Sequence, residues 1–283
     1  MSARALPAER GFSLVELMVT LVIALLLLAG ILQILLSNRQ SYGVQQSMAG
    51  LQQDARLVSF VIENVVAHAG YRVNLYAPDE RLFPAHGDAG DDLAIAGGAF
   101  IAASHGAGRD SDDSVRLRFQ AAGGVHDCAG SEIDGYPGGR SPNQKPRPAS
   151  ADFALVLDKS DPNDMTLDCV IYEDNDRPTG GSSNGEIKYE RSLVDNVDRF
   201  KISYGIDTNN NRSVDRYVST LTPANQGHVL SLRLQLLLHS DANVAPTAVA
   251  HTYRFLDGTS HTYNDRRARL LLDQTVALRN VLP

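Results

Sequence analysis

The sequence predicts an α+β chain. One long N-terminal helix spans a membrane with its first half and packs its second half on an antiparallel β-sheet domain. Three observations carry this expectation. Leu17 to Asn38 contains no charged side chain. Val44, Met48, Leu51, Ala55, Val58, Ile62, Val65 and Ala69 follow one another by steps of four and three, which lays one apolar stripe along a helix. Between Leu230 and Leu238 leucine takes every second position, with Ser231, Arg233 and Gln235 between them, the period of a half-buried strand. With 283 residues, 43% of them hydrophobic, the chain can bury a substantial core. A formal charge of −7 speaks against nucleic acid as a partner, because phosphate binding needs a concentrated basic surface.

The N-terminal run comes first in the chain and in consequence. At helical rise, Leu17 to Asn38 extends about 33 Å, enough to cross the hydrocarbon of a bilayer. Arg4 and Arg10 lie in the first eleven residues with a single acid, Glu9, and such a basic head stays cytoplasmic, so residues beyond Arg39 lie across the membrane. A secretory signal would need a small-residue cleavage site after the run. Here the run continues into Gln33 to Gln40 and then into the striped segment. A single helix from Phe12 to Ala69 would be about 87 Å long, with Gly70 placed to cap it. Gly30, Gly43 and Gly50 are positions where it could bend.

Gly11-Phe12-Ser13-Leu14-Val15-Glu16 stands immediately before the apolar run, and it resembles the class III signal of type IV prepilins and pseudopilins. The resemblance implies cleavage between Gly11 and Phe12 by a prepilin peptidase, methylation of the new amino terminus at Phe12, and an assembly role for Glu16. Each part has a physical counterpart. Glycine before the cut presents no side chain to a protease. An ionisable group beside a membrane span is expensive without a partner, and the amine freed at Phe12 of a neighbouring subunit is the natural partner for Glu16. Asp54-Ala-Arg-Leu57, Ala69-Gly-Tyr71, Tyr204-Gly-Ile-Asp207 and Val276-Ala-Leu-Arg-Asn280 are similar to stretches of the PilW family of minor pilins, in the same order. One departure is the absence of tryptophan ahead of the late strand, where Val229-Leu-Ser-Leu-Arg233 stands instead.

The resemblance implies a pilin-like fold with a leader at 1–11, a long helix at 12–70 that is transmembrane over 15–36, and a β-rich extracytoplasmic domain at 71–283. It also implies a single pass of the inner membrane with a periplasmic domain, later carried to the pilus and cell surface. The implied partners are prepilin peptidase, other minor pilins and the major pilin. A minor pseudopilin of type II secretion, of the J kind, shares the leader and the architecture and is the nearest alternative; a membrane-anchored periplasmic enzyme is the other.

Beyond Gly70 short strand-like runs alternate with polar connections. Residues 115–119, 153–157, 169–172, 200–204 and 252–255 read as strands beside 230–238. Leu270, Leu272, Val276 and Leu278 make either a last strand or a short helix. Residues 77–114 and 121–150 read as loops, and the basic stretch Arg140 to Arg147 as a solvated face. Cys128 and Cys169 are the only cysteines, and an oxidising compartment makes a disulfide the expected pairing over metal ligation.

Asp207, Asn209, Asn211, Ser213 and Asp215 place oxygen donors at alternate positions between two strand-like runs. Hard calcium takes such oxygens, and the spacing imitates the start of an EF-hand loop. Arg212 stands where that loop needs glycine and Val218 where it needs a bidentate glutamate. Asn and Asp equally favour a plain hairpin turn, so the reading is a turn or a calcium site. The chain has no G-x-S-x-G elbow, H-E-x-x-H helix or phosphate loop. His105 and His126 read as surface loop histidines, and the expectation is a chain that is not an enzyme.

Overall fold

The computed structural model describes residues 13–72, 83, 85, 93–105, 112–121, 126–128, 130, 149–158, 165–173 and 186–281. Gly11, Phe12, most of the predicted 121–150 loop and Arg140 to Arg147 lie outside the described residues. The chain divides into two compact units, Met1–Gln46 and Ser47–Pro283.

The first unit is helical. Helix α1 runs Leu14–His68, and from Leu14 to Tyr42 every residue is exposed, the apolar ones included. Among the described residues this is the one helix long and apolar enough to cross a membrane. Apolar side chains on all sides suit a lipid surround rather than one protein face. Thr20 donates its hydroxyl to the Leu17 carbonyl, 3.0 Å away, so the hydroxyl is satisfied within the helix.

In the second unit, the C-terminal part of α1 buries Leu51, Ala55, Val58, Ile62, Val65 and Val66. That is the predicted stripe, and it packs against the sheets in one core. The helix ends where expected. Gly70 adopts φ 75, the left-handed conformation that glycine takes without strain. Its N–H donates to the Arg118 carbonyl at 2.7 Å. Asn280 donates its side-chain amide to the Ala67 carbonyl at 2.8 Å, satisfying one of the orphan carbonyls of the last turn. Ser59 meets the amide oxygen of Gln274 at 2.6 Å, so residues near the end of the chain hold the helix in two places.

Three antiparallel sheets follow, where the sequence suggested one. Strands β1 (Ile101–His105), β2 (Asp113–Ala121), β3 (Ala149–Asp158), β4 (Thr166–Glu173) and β5 (Glu186–Val194) form a five-stranded meander in chain order. Strands β6 (Val197–Ile206), β7 (Arg216–Val218), β8 (Val229–Asn243) and β11 (Arg267–Ala277) form a second sheet, ordered β11-β8-β6-β7. Strands β9 (Val249–Arg254) and β10 (Ser260–Asp265) pair alone. Five of the six strand-like runs singled out in the sequence lie wholly in strands, the 252–255 run lies in β9 but for Phe255, and the ambiguous 270–278 segment is β11 as far as Ala277.

Two expectations need correction. The 77–114 stretch is not all loop: it supplies β1 and the start of β2, and Phe83, Leu93, Ile95 and Phe100 are buried. This segment covers β2, whose Arg116, Arg118 and Gln120 are buried alongside Val115, Leu117 and Phe119, and Arg116 donates to the Leu93 carbonyl. Nor is the second face of β8 wet. Leu232, Leu234, Leu236 and Leu238 face the core, yet Ser231, Gln235 and Leu237 are buried too. The turn between β9 and β10 folds over that face, where the Leu256 N–H donates to the Gln235 side chain at 2.8 Å.

Candidate functional site

Of the predicted processing and assembly residues, Glu16 lies within the described chain. It falls in the first turn of α1 and is exposed. The N-terminal turn of a helix carries unpaired N–H groups and partial positive charge, which favour a carboxylate there. Glu16 is the acid of that first turn, and uncharged residues follow it as far as Asn38. A carboxylate so placed can join an amine of another chain while the neighbouring apolar side chains meet lipid or other helices.

Cys128 and Cys169 are joined by a disulfide with a Cα separation of 6.3 Å. Cys169 sits in the middle of β4 and is fully buried, and Cys128 is nearly so. The bond ties the segment after β2 to the centre of the five-stranded sheet, and both sulfurs belong to the main core.

The oxygen-rich segment forms the β6–β7 connection. Asp215 donates its N–H to the Ile206 carbonyl at 3.0 Å. The Asp207 carboxylate accepts from the N–H groups of Asn209 (3.0 Å), Asn211 (3.3 Å) and Arg212 (2.8 Å). Desolvation acts to raise its pKa, but these backbone donors together outweigh it and hold the group below the usual carboxylate range. Asp215 is lowered as well, chiefly by the Thr208 hydroxyl at 2.7 Å and the Thr208 N–H. Asn209 and Asn211 accept in turn from the N–H groups of Asn211 and Ser213. Asn210 and Arg212 take φ of 60 and 67, so Arg212 adopts the left-handed conformation for which an EF-hand loop uses glycine. Among the described residues no group of three or more His, Cys, Asp or Glu converges as a metal cage.

Gly205, within the Tyr204 to Asp207 motif, is required sterically. A β-carbon there would collide with the Ser231 hydroxyl and lie 2.9 Å from Val214 and 3.1 Å from the Tyr217 ring. The missing side chain lets Tyr217 lie across β6, where its hydroxyl meets that of Ser231 at 3.2 Å.

Sequence reasoning missed a set of buried charges. Beyond the reach of the short β7, the N–H groups of Phe200 and Ile202 on β6 donate to Asp112 (2.9 Å) and Asp113 (2.8 Å). Burial pushes the Asp113 carboxyl up, against the Ile202 N–H, Lys201 and His105, all of which favour its charge. Lys201 lies 3.2 Å from Asp257 and 3.8 Å from Asp113. His105 thus ends β1 with its Nδ1 2.7 Å from Asp113, not on a surface loop. A second group surrounds Arg269, which binds Asp265 with both terminal nitrogens at 2.8 and 2.6 Å and Asp198 at 2.6 Å. Its guanidinium also stands 4.0 Å from the centre of the Tyr263 ring. These groups close a strand edge and anchor the β9–β10 pair. For the pairs of Phe200 with Asp112, Ile202 with Asp113 and Arg269 with Asp198, a separation of 71 to 89 positions left no local signal.

Residues 6–32 match the prokaryotic N-terminal methylation motif, and residues 157–280 match the type IV pilus-assembly protein W family. No curated protein matches the chain. Among solved structures, a type IV-like pilin from Thermus thermophilus aligns over 82% of this chain and 97% of its own, with 12% identity and a TM-score of 0.46. The methylation motif overlies the predicted leader and the exposed start of α1. The assembly-protein match runs from the end of β3 past β11 and takes in the Tyr204 to Asp207 and Val276 to Asn280 stretches. The chain carries a prokaryotic methylation motif at its N-terminus and, at its C-terminal side, a domain of the type IV pilus-assembly protein W family.

Proposed function

We propose that the protein is a minor pilin that helps to prime and assemble the type IV pilus in a tip complex with other minor pilins. Prepilin peptidase removes residues 1–11 between Gly11 and Phe12, and Phe12 is then methylated. The helix starting at Phe12 anchors the chain in the inner membrane over residues 15–36, with residues 71–283 in the periplasm until the subunit enters the pilus. The observation that carries this reading is the methylation motif set directly before a helix that is exposed all round at its start and buried along one stripe at its end. Such a helix offers one part to lipid or neighbouring helices and the other to its own domain. The Glu16 carboxylate pairs with the Phe12 amine of an adjacent subunit and sets the axial register, while apolar contacts supply most of the binding. The match to the assembly protein W family favours a pilus over type II secretion. The role is structural and needs no catalysis.

The 207–215 loop serves in this reading as a hydrogen-bonded turn. Its support is the use of both carboxylates and both asparagine side chains by the loop's own donors.

Mass spectrometry of the mature N-terminus tests the proposal. The expected result is a chain beginning with N-methylated Phe12. An uncleaved leader, or cleavage after the apolar run, overturns it. Glu16→Ala should still be cut yet enter pili poorly, and incorporation equal to wild type would refute the pairing with Phe12.

A further inference from the structure

Beyond the C-terminal end of α1 lies an open cleft of about 640 Å³. Its walls come from four separate parts of the chain: Tyr71 and Arg72 after the helix, the β6–β7 turn with Arg212, His228 and Leu230 at the start of β8, and Arg279 after β11. Three arginines and a histidine thus line one cleft on a chain whose formal charge is −7. The carboxylate in the wall, Asp207, is turned to its own loop and accepts from three backbone N–H groups.

The backbone at Arg212 adds a second, independent observation. Its φ of 67 lies in the region that side chains other than glycine avoid. Strain of this kind persists where the surrounding structure imposes it, and it gathers at binding sites. Here the hydrogen bonds of Asp207 impose it, and they hold an arginine at the cleft where glycine would relax the turn.

We propose that this cleft binds a carboxylate-rich peptide segment of a partner protein. Guanidinium groups match carboxylates in charge and in paired hydrogen-bond geometry. Tyr71, Leu230 and Val281 in the same wall offer apolar contact that a peptide uses and a free inorganic anion does not. An open cleft also admits a chain passing through it. The site is separate from the helix stripe and from Glu16, so it stands or falls independently of the assembly pairing.

The test uses the full chain in detergent micelles and a fluorescein-labelled peptide of sequence Glu-Leu-Glu-Glu-Tyr-Glu, read by anisotropy. Saturable binding is expected, weakened about tenfold or more by Arg212→Ala with Arg279→Ala, and less than about twofold by Arg254→Ala on exposed β9, outside the cleft. Arg212→Gly suits the backbone and preserves the turn, so its loss of binding should equal that of Arg212→Ala. Replacing the glutamates of the peptide by glutamine should abolish the signal. Equal binding by the double variant overturns the proposal. Displacement of the peptide by equimolar inorganic phosphate would show a simple anion site and overturn it as well. So would arginine-dependent binding to phosphatidylglycerol vesicles without binding of the peptide.

Discussion

Removing the Cys128–Cys169 bond perturbs the β-rich domain at one defined point. The two cysteines are 41 positions apart, and on the chain-entropy account a loop of that length stabilises the fold by about 4 kcal/mol at 25 °C. In a domain of roughly 200 residues this lowers the melting temperature by about 8 to 16 °C. Reduction of the wild-type protein isolates the effect, since it removes no atoms from the core beyond the bond itself. Cys128→Ser with Cys169→Ser should show a similar or larger loss, because both positions are buried and a hydroxyl there lacks an assured partner. Circular dichroism melts, with and without reductant, give the shift. Alkylation under denaturing conditions, read by mass, counts free thiols. Because Cys169 is fully buried, reductant should act only once the domain opens, so reduction at low temperature should be slow. The reasoning is refuted if the purified protein alkylates at either cysteine without reductant. It is also refuted if fully reduced protein melts within about 2 °C of the oxidised form.

Three further outcomes follow from the geometry. Gly205→Ala should destabilise the second sheet by about 1 to 3 kcal/mol, since the new β-carbon meets Val214 and Tyr217 inside contact distance; urea titration followed by tyrosine fluorescence measures it. Acid should weaken the fold between about pH 5 and pH 2. Hydrogen bonds from Arg269 hold Asp265 down to about 2 and those from Arg233 lower Asp273; a depressed native pKa gives stability that is complete above the unfolded value and fades as pH falls through the native one. Asp113, raised by burial, opposes the trend, and Asp265→Asn should flatten the pH dependence of the melting temperature. Finally, chelator or added calcium should leave the melting temperature unchanged if the 207–215 segment is held by its own hydrogen bonds. A calcium-dependent rise would turn that segment into an ion site.

Much of this architecture was legible in the chain because its signals are local. The four-and-three stripe from Leu51 to Val65 reports a helix with one buried side, and the structure buries those positions. Period-two leucines report β8 for the same reason. The strands that went unread lack such contrast. β1 reads Ile-Ala-Ala-Ser-His, β10 is polar throughout, and β7 has three residues. β2 gave its core face correctly but hid its second face, since Arg116 and Arg118 look solvent-bound until a distant segment folds over them. The turn at 207–215 was legible in composition, whereas the left-handed backbone at Arg212 was not, because arginine gives no warning of it. The cationic cleft was the least readable feature of all. Tyr71, Arg212, His228 and Arg279 come together only when the helix end, a hairpin tip, the start of β8 and the end of the last strand meet.

The anchoring of α1 by Gln274 and Asn280 bears on biogenesis. The first structural element to be synthesised waits for partners 215 and 213 positions downstream before its final turns are secured. A ribosome still midway through the message therefore leaves those turns unlatched and the greasy stripe without its complete seat. Fusing a bulky tag shortly after Val281 would crowd this late fastening, whereas one inserted at the exposed Asn243–Val249 bend would spare it.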